Sequence, residues 1–164
     1  MRIPKTNILS FLSVISLLLS PVFLSFTLSE RELPATNKKI LEYCELNMGK
    51  KIDRGECWDL LKYALDFAKA DWTAPLDFGE KVNYKVQDIL PGDIVQFKNT
   101  KFVYENGSSM NMPHHFAIVY KVNGSGQYTL VHQNVNGYRK LRTDDIDLNF
   151  LKKGKLTFFR PQSR

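Results

Sequence analysis

The pattern of hydrophobic and polar positions takes three forms along the chain. From Ile8 to Phe26 it is almost wholly apolar and serine, without a charge. From Asn37 it becomes helical. Ile40, Leu41, Cys44 and Met48 make one stripe, stopped by Gly49. A second stripe over Cys57 to Lys69 joins Cys57, Leu60, Leu61, Ala64, Leu65 and Ala68, a clean match to the 3.6-residue period. Beyond Leu90 the pattern shortens to strands. Leu90-Pro91-Gly92-Asp93 is a turn signal before a strand at Ile94–Phe97. His115–Val122, a turn at Asn123–Gly126 and Gln127–Asn134 read as a hairpin. Shorter extended pieces are expected at 81–86, 138–141 and 156–160. Residues 98–113, with Asn99, Asn106-Gly107-Ser108-Ser109 and Pro113, read as a long exposed loop, and 144–153 as a short helix. Helices first and antiparallel strands after predict an α+β domain, with the helices packed on one side of a sheet.

The N-terminal pattern changes the picture of where the domain begins. Arg2 and Lys5 precede the apolar run, and Ser29 precedes the first acid, Glu30. This order predicts a secretory signal peptide over residues 1–29, or an uncleaved anchor, and hence an exported protein with transient membrane contact through residues 8–26. Residues 30–36 then form a linker and 37–164 the domain. The net charge is +6, and +4 beyond residue 29. No basic block with interleaved aromatics accompanies it, so no nucleic-acid partner is expected. With two cysteines in so long a domain, a disulfide scaffold is not expected. Cys44, on the first stripe, reads as a core residue.

Cys57 reads differently. Asp53-Arg54-Gly55-Glu56 is a tight turn that feeds it into the start of a helix. Unpaired N–H groups and the helix dipole lower the cost of a thiolate there, and the thiolate is the nucleophile. The three histidines, His114, His115 and His132, lie in or beside the hairpin. If Val122 faces Gln127, His115 pairs with Asn134 and Ala117 with His132. His115, His132 and Asn134 then share a face, while Gln133 takes the other. Nucleophile, base and an orienting polar group are what thiol catalysis needs. His115 is the expected base, with His132 or Asn134 on its far nitrogen and His114 exposed. The spacing matches no zinc pattern, so no metal or other cofactor is expected.

These residues resemble the NlpC/P60 superfamily of cysteine peptidases, and most closely its CHAP-like branch. The marks are Gly55-Glu56-Cys57, Leu90-Pro91-Gly92-Asp93-Ile94-Val95-Gln96-Phe97, His115-Phe116-Ala117-Ile118-Val119 and His132-Gln133-Asn134. The resemblance implies a papain-like fold, with N-terminal helices packed on a small antiparallel sheet or half-barrel. It also implies metal-free cleavage of amide bonds in peptidoglycan peptides, with Cys57 as nucleophile, His115 as base, His132 as third polar residue and Asn134 beside it. Glu-Gln-Asn is frequent in the CHAP-like branch where this chain has His132-Gln133-Asn134. A second resemblance, through Gly55-Glu56-Cys57-Trp58, Gln133–Gly137 and Phe159-Arg160-Pro161, is to the cysteine-proteinase-like domain of fungal cortical actin-patch proteins. There the same fold implies an interaction domain. The expected function is an exported thiol hydrolase of a peptide or peptidoglycan amide bond. The alternative is a non-catalytic binding or scaffold domain.

Overall fold

The computed structural model describes residues 32–75 and 77–164. The segments read as signal peptide and membrane contact therefore lie outside the described residues. Among the described residues, no helix is long and apolar enough to cross a membrane.

Helix α1 spans Ala35–Asn47 and α2 spans Cys57–Phe67. The first begins directly after Pro34, so helix replaces the last two residues of the expected linker. Its buried face is Asn37, Ile40 and Cys44, whereas Met48 lies past its end and is exposed. On α2 the expected stripe is buried as Leu60, Leu61, Ala64 and Leu65.

The strands are β1 (Ala70–Asp71), β2 (Glu80–Val82), β3 (Ile94–Val103), β4 (Ser109–Gly124), β5 (Gln127–His132), β6 (Arg142–Asp147), β7 (Leu151–Arg160) and β8 (Gln162–Ser163). Six of them form one antiparallel sheet in the order β2-β7-β3-β4-β5-β6, and β1 pairs with β8. This is the expected α+β architecture. One sheet face, through Ile94, Phe116, Ile118 and Phe159, packs against the helices. The opposite face carries a second apolar cluster, built around Val95, Phe97, Leu130 and Phe158. Among the described residues no α-helix packs on that side, and the sheet closes this cluster largely from its own strands, as a half-barrel does.

Three expectations need correcting. Residues 98–113 are not a long loop. They form the arms of a β3–β4 hairpin, with only Tyr104–Ser108 as its turn. A bulge near Asn99, whose φ is +53°, breaks the alternation of inward Phe97 and Phe102 and hides the strand from a period-2 reading. Residues 144–153 are not a helix but the end of β6, a 3-10 turn at Leu148–Phe150 and the start of β7. Tyr138–Leu141 is not a strand, since β6 begins at Arg142.

The β4–β5 register is partly as expected. Near the turn, Gly124 faces Gln127 and Val122 faces Tyr128, and two irregularities follow. These restore the expected pairing by the time Ile118 faces Val131. The register is therefore right at the end of the hairpin where the histidines lie.

The Pro91-Gly92-Asp93 turn is a structural clasp. Buried Asp93 accepts hydrogen bonds from Arg160 Nε at 3.1 Å, Arg160 Nη2 at 2.8 Å and Asn37 Nδ2 at 2.9 Å. It thus ties α1, β3 and β7 together. Removing one partner of such a buried pair costs about 3–5 kcal/mol. Gly92, at φ +86°, lies so close to α1 that a Cβ would stand 2.7 Å from Asn37 Cα.

Candidate active site

The turn before α2 is built for close approach. Gly55 N–H donates to Ile52 C=O at 2.9 Å, and Gly55 has φ +87°. A Cβ there would come within 2.7 Å of Arg139 Cβ. Asp59 then fixes the helix start. Its carboxylate accepts from Glu56 N–H at 3.0 Å and from Arg54 Nη2 at 2.7 Å. Gln133 holds the same turn from the sheet. Its amide donates to Ile52 C=O at 3.1 Å and Glu56 C=O at 2.6 Å, and accepts from Ile52 N–H at 3.2 Å. Trp58 packs edge-on to Phe116 of β4, with ring centroids 6.0 Å apart. Cys57 is therefore held against β4 by both neighbours in sequence and by the sheet.

Cys57 and His115 line one open cleft of about 600 Å³, together with Glu56, Trp58, His114 and Asn134. His115 is 6 % exposed and His132 fully buried. His115 Nε2 lies 3.2 Å from His132 Nδ1, and His132 Nε2 lies 2.6 Å from Asp144 Oδ2. Arg142 Nε–H donates to the same Asp144 oxygen at 2.8 Å. A continuous polar line thus runs from the cleft wall through two imidazoles to a carboxylate.

Parity along an extended β4 lets only one of His114 and His115 meet the helices, and the expected base His115 is not the one that does. His114 and Phe116 share the face that meets the helices, and their rings are 5.2 Å apart. His115 lies opposite Phe97 on the half-barrel side. It reaches the cleft from there, while His114 is the exposed one, as expected.

Residues 35–164 match the sequence model of the AIM3/BBC1 cysteine proteinase-fold domain. The chain belongs to that family. Among solved structures, Ly7917 and its complex with the hydrolyzing product of MDP share the fold of this cysteine proteinase-fold domain. Each aligns at 16% identity with a TM-score of 0.50, over 76% of this chain and 62% of the other. The chain thus spans less than two thirds of the length of Ly7917. No curated protein matches it.

The electrostatics of this AIM3/BBC1-type domain depart from a preformed thiolate. Burial pushes the Cys57 thiol above its ordinary value. The N–H groups of Phe116, Trp58 and Cys57 itself point at the sulfur and pull the other way without overcoming it. The helix start alone therefore does not ionise the thiol. His115 is lowered to about 3, first by burial and then by the neighbouring His132 and His114. At neutral pH both groups are uncharged. Asp144 is held below the usual carboxylate range, chiefly by its hydrogen bond to His132, and so is ionised.

An ionised Asp144 can only accept, which puts the His132 proton on Nε2. In the tautomer this bond selects, His132 Nδ1 accepts, so His115 carries its proton on Nε2 and keeps a bare Nδ1. A bare imidazole nitrogen is a proton acceptor.

Of the predicted site residues, the structure brings Cys57 and His115 to one cleft and His132 to His115. Asn134 also lines the cleft, but its amide donates to Glu56 Oε2 at 2.5 Å. β5 ends at His132, and Asn134 has φ +61°, so the strand alternation that grouped it with the histidines does not extend to it. His132, rather than Asn134, orients His115. Asp144 was missed because its segment read as helix. Its signal is the alternation in Arg142–Asp147, where Asp144 shares a face with buried Ile146. Among the described residues, no group of three or more His, Cys, Asp or Glu side chains converges as a metal site.

Proposed function

We propose that this domain is an exported thiol hydrolase that cleaves an amide bond in a peptide, the expected source being peptidoglycan peptides. The observation that carries this reading is the line Cys57–His115–His132–Asp144, with its nucleophile on an open cleft. A scaffold domain has no use for two buried imidazoles backed by a carboxylate, since burying such groups costs stability unless each is satisfied. The family fold and the likeness to Ly7917, solved with the hydrolyzing product of MDP, support hydrolysis as the class of reaction. The Gly55-Glu56-Cys57 and His115–Val119 marks support placing the site among NlpC/P60-type enzymes.

The chemistry follows from two neutral partners. As Sγ forms its bond to the scissile carbonyl carbon, the thiol proton passes to His115 Nδ1. The new positive charge is stabilised through His132 by Asp144. The N–H groups of Cys57, Trp58 and Phe116, which face the sulfur at rest, are the nearest donors for the developing oxyanion. Collapse breaks the C–N bond, and His115 returns the proton to the leaving amine. Water then attacks the thioester with His115 again taking a proton. Loss of the acid restores the thiol.

The test is incubation of the full chain with purified peptidoglycan and, separately, with a mixture of peptides, reading new amino termini by mass spectrometry. Cleavage that disappears in Cys57→Ala is expected, and the arm that is cleaved names the source. No cleavage in either arm, with unchanged thiol reactivity in His115→Ala, overturns the proposal.

A further inference from the structure

The cleft continues onto a basic surface that the chemistry above does not use. On the helix-side face of the sheet, at exposed positions, Lys155 of β7 lies directly opposite Lys98 of β3, which in turn lies opposite His114 of β4. The three form a row across three strands, and its last member lines the cleft that holds Cys57. Adjacent strands are about 5 Å apart, so Lys98 stands one strand from the cleft wall and Lys155 about 10 Å away. Lys81 of β2 joins them. Lys81, Lys98 and Lys155, with Gln96 and Thr157, line a hollow of about 450 Å³, and among the described residues no carboxylate side chain lines it. Among the described residues, none of the three lysines makes an ion pair.

Stability does not ask for this arrangement. Like charges directly opposed across a strand pair are destabilising. The same two strands repeat the feature, with Lys101 opposite Lys153. Lysines often guard the edge of a sheet against pairing with other chains. β3 is an interior strand, so that role does not apply to Lys98. β2 covers β7 only from Phe158 to Arg160, so Lys155 lies on an open edge, where guarding accounts for a lysine but not for its placement directly opposite Lys98.

We propose that this hollow binds carboxylate groups of the peptide being cleaved, so that the site selects substrates with acidic residues on one side of the scissile amide. An extended peptide advances about 3.3 Å per residue, which places the favoured acid about two to four residues from the reacting carbonyl. Lysine suits the task because its ammonium is a compact charge on a flexible stem and tolerates carboxylates at several positions. The proposal rests on the hydrolase reading of the cleft, and binding to a chain unable to turn over measures it separately.

The experiment uses the full chain carrying Cys57→Ala and fluorescein-labelled peptides that contain either three glutamates or three glutamines. Anisotropy is expected to show the glutamate peptide binding about tenfold tighter at low salt, the preference fading as salt screens it. Lys98→Glu and Lys155→Glu are each expected to remove that preference while leaving the melting temperature level or higher, because a repelling pair becomes an attracting one. This rise separates lost binding from lost folding. Equal binding of the two peptides overturns the proposal. So does inorganic phosphate binding as tightly as the glutamate peptide, which marks a free-anion site, or capture by anionic vesicles without peptide preference, which marks a membrane surface. If the glutamate preference holds but no variant of Cys57 alters any cleavage, the hydrolase reading fails instead.

Discussion

Cys44 and Cys57 sit on neighbouring helices and pack against the same apolar cluster, yet only one is placed for chemistry. Burial raises both thiols. Cys44 is fully buried and pushed up to about 12, with the Glu45 charge adding to the effect. Cys57 is also raised, but three backbone N–H groups oppose its burial, and it opens onto a cleft shared with a neutral imidazole. The contrast shows that neither a helix start nor low exposure decides reactivity. What decides it is whether a proton acceptor and a path for substrate meet the sulfur. In the proposed hydrolase His115 supplies the acceptor, because its hydrogen bonds to His132 and on to Asp144 leave its Nδ1 without a proton.

The contrast can be broken in several ways. The largest effect is expected from Cys57→Ala, which should lower kcat/KM for amide cleavage by at least about 10³-fold with little change in melting temperature. Retained cleavage would remove the distinction between the two thiols. Acid comes next. The unfolded chain takes a proton on His115 near 6.5, whereas the folded chain resists until about 3. The stability that the neutral buried ring contributes is full above that window and is lost as pH falls through it, on the order of 5 kcal/mol. Asp144, held low in the folded chain, adds a loss below its ordinary range. Chemical denaturation from pH 7 to 3 measures the slope, and His115→Gln should flatten its upper part. Asp144→Asn keeps an acceptor for His132 but removes the charge. It is expected to lower kcat by roughly 10²-fold at unchanged KM, a split that separates it from a folding defect. Cys44→Ala is expected to leave the rate unaltered and cost only about 1–2 kcal/mol in urea unfolding, as a small cavity in the core does.

Much of this contrast is legible in the residues themselves. Two stripes at helical spacing place both cysteines on inward faces, and the turn through Gly55 marks the start of α2. The histidine pair is legible because alternation holds along β4 and β5 up to His132. It fails one step later at Asn134, where the backbone turns left-handed, so Asn134 meets Glu56 instead of His115. The β3–β4 hairpin is illegible for a similar reason. The bulge at Asn99 breaks the period, and outward Asn, Ser and Lys residues mask inward Phe102 and Met112. Asp144 hides in a run of polar residues whose one buried neighbour, Ile146, is the only sign of its face. The height of the two thiols was beyond pattern reading altogether. It depends on how deeply the packed sheet and helices bury each sulfur.

The central claim is that Cys57 rests as a neutral thiol and loses its proton to His115 during attack. Its most direct test is the rate of Cys57 alkylation by iodoacetamide against pH, followed by mass spectrometry in the protein and in His115→Ala, with Cys44 as the internal control. A general base gives a rate that stays nearly level from about pH 5 to 8 in the protein, while in His115→Ala it falls about tenfold per unit below the thiol pKa. Cys44 should stay unlabelled until the chain unfolds. Coincident curves for the two proteins, each rising tenfold per unit as an ordinary thiol does, would contradict the account.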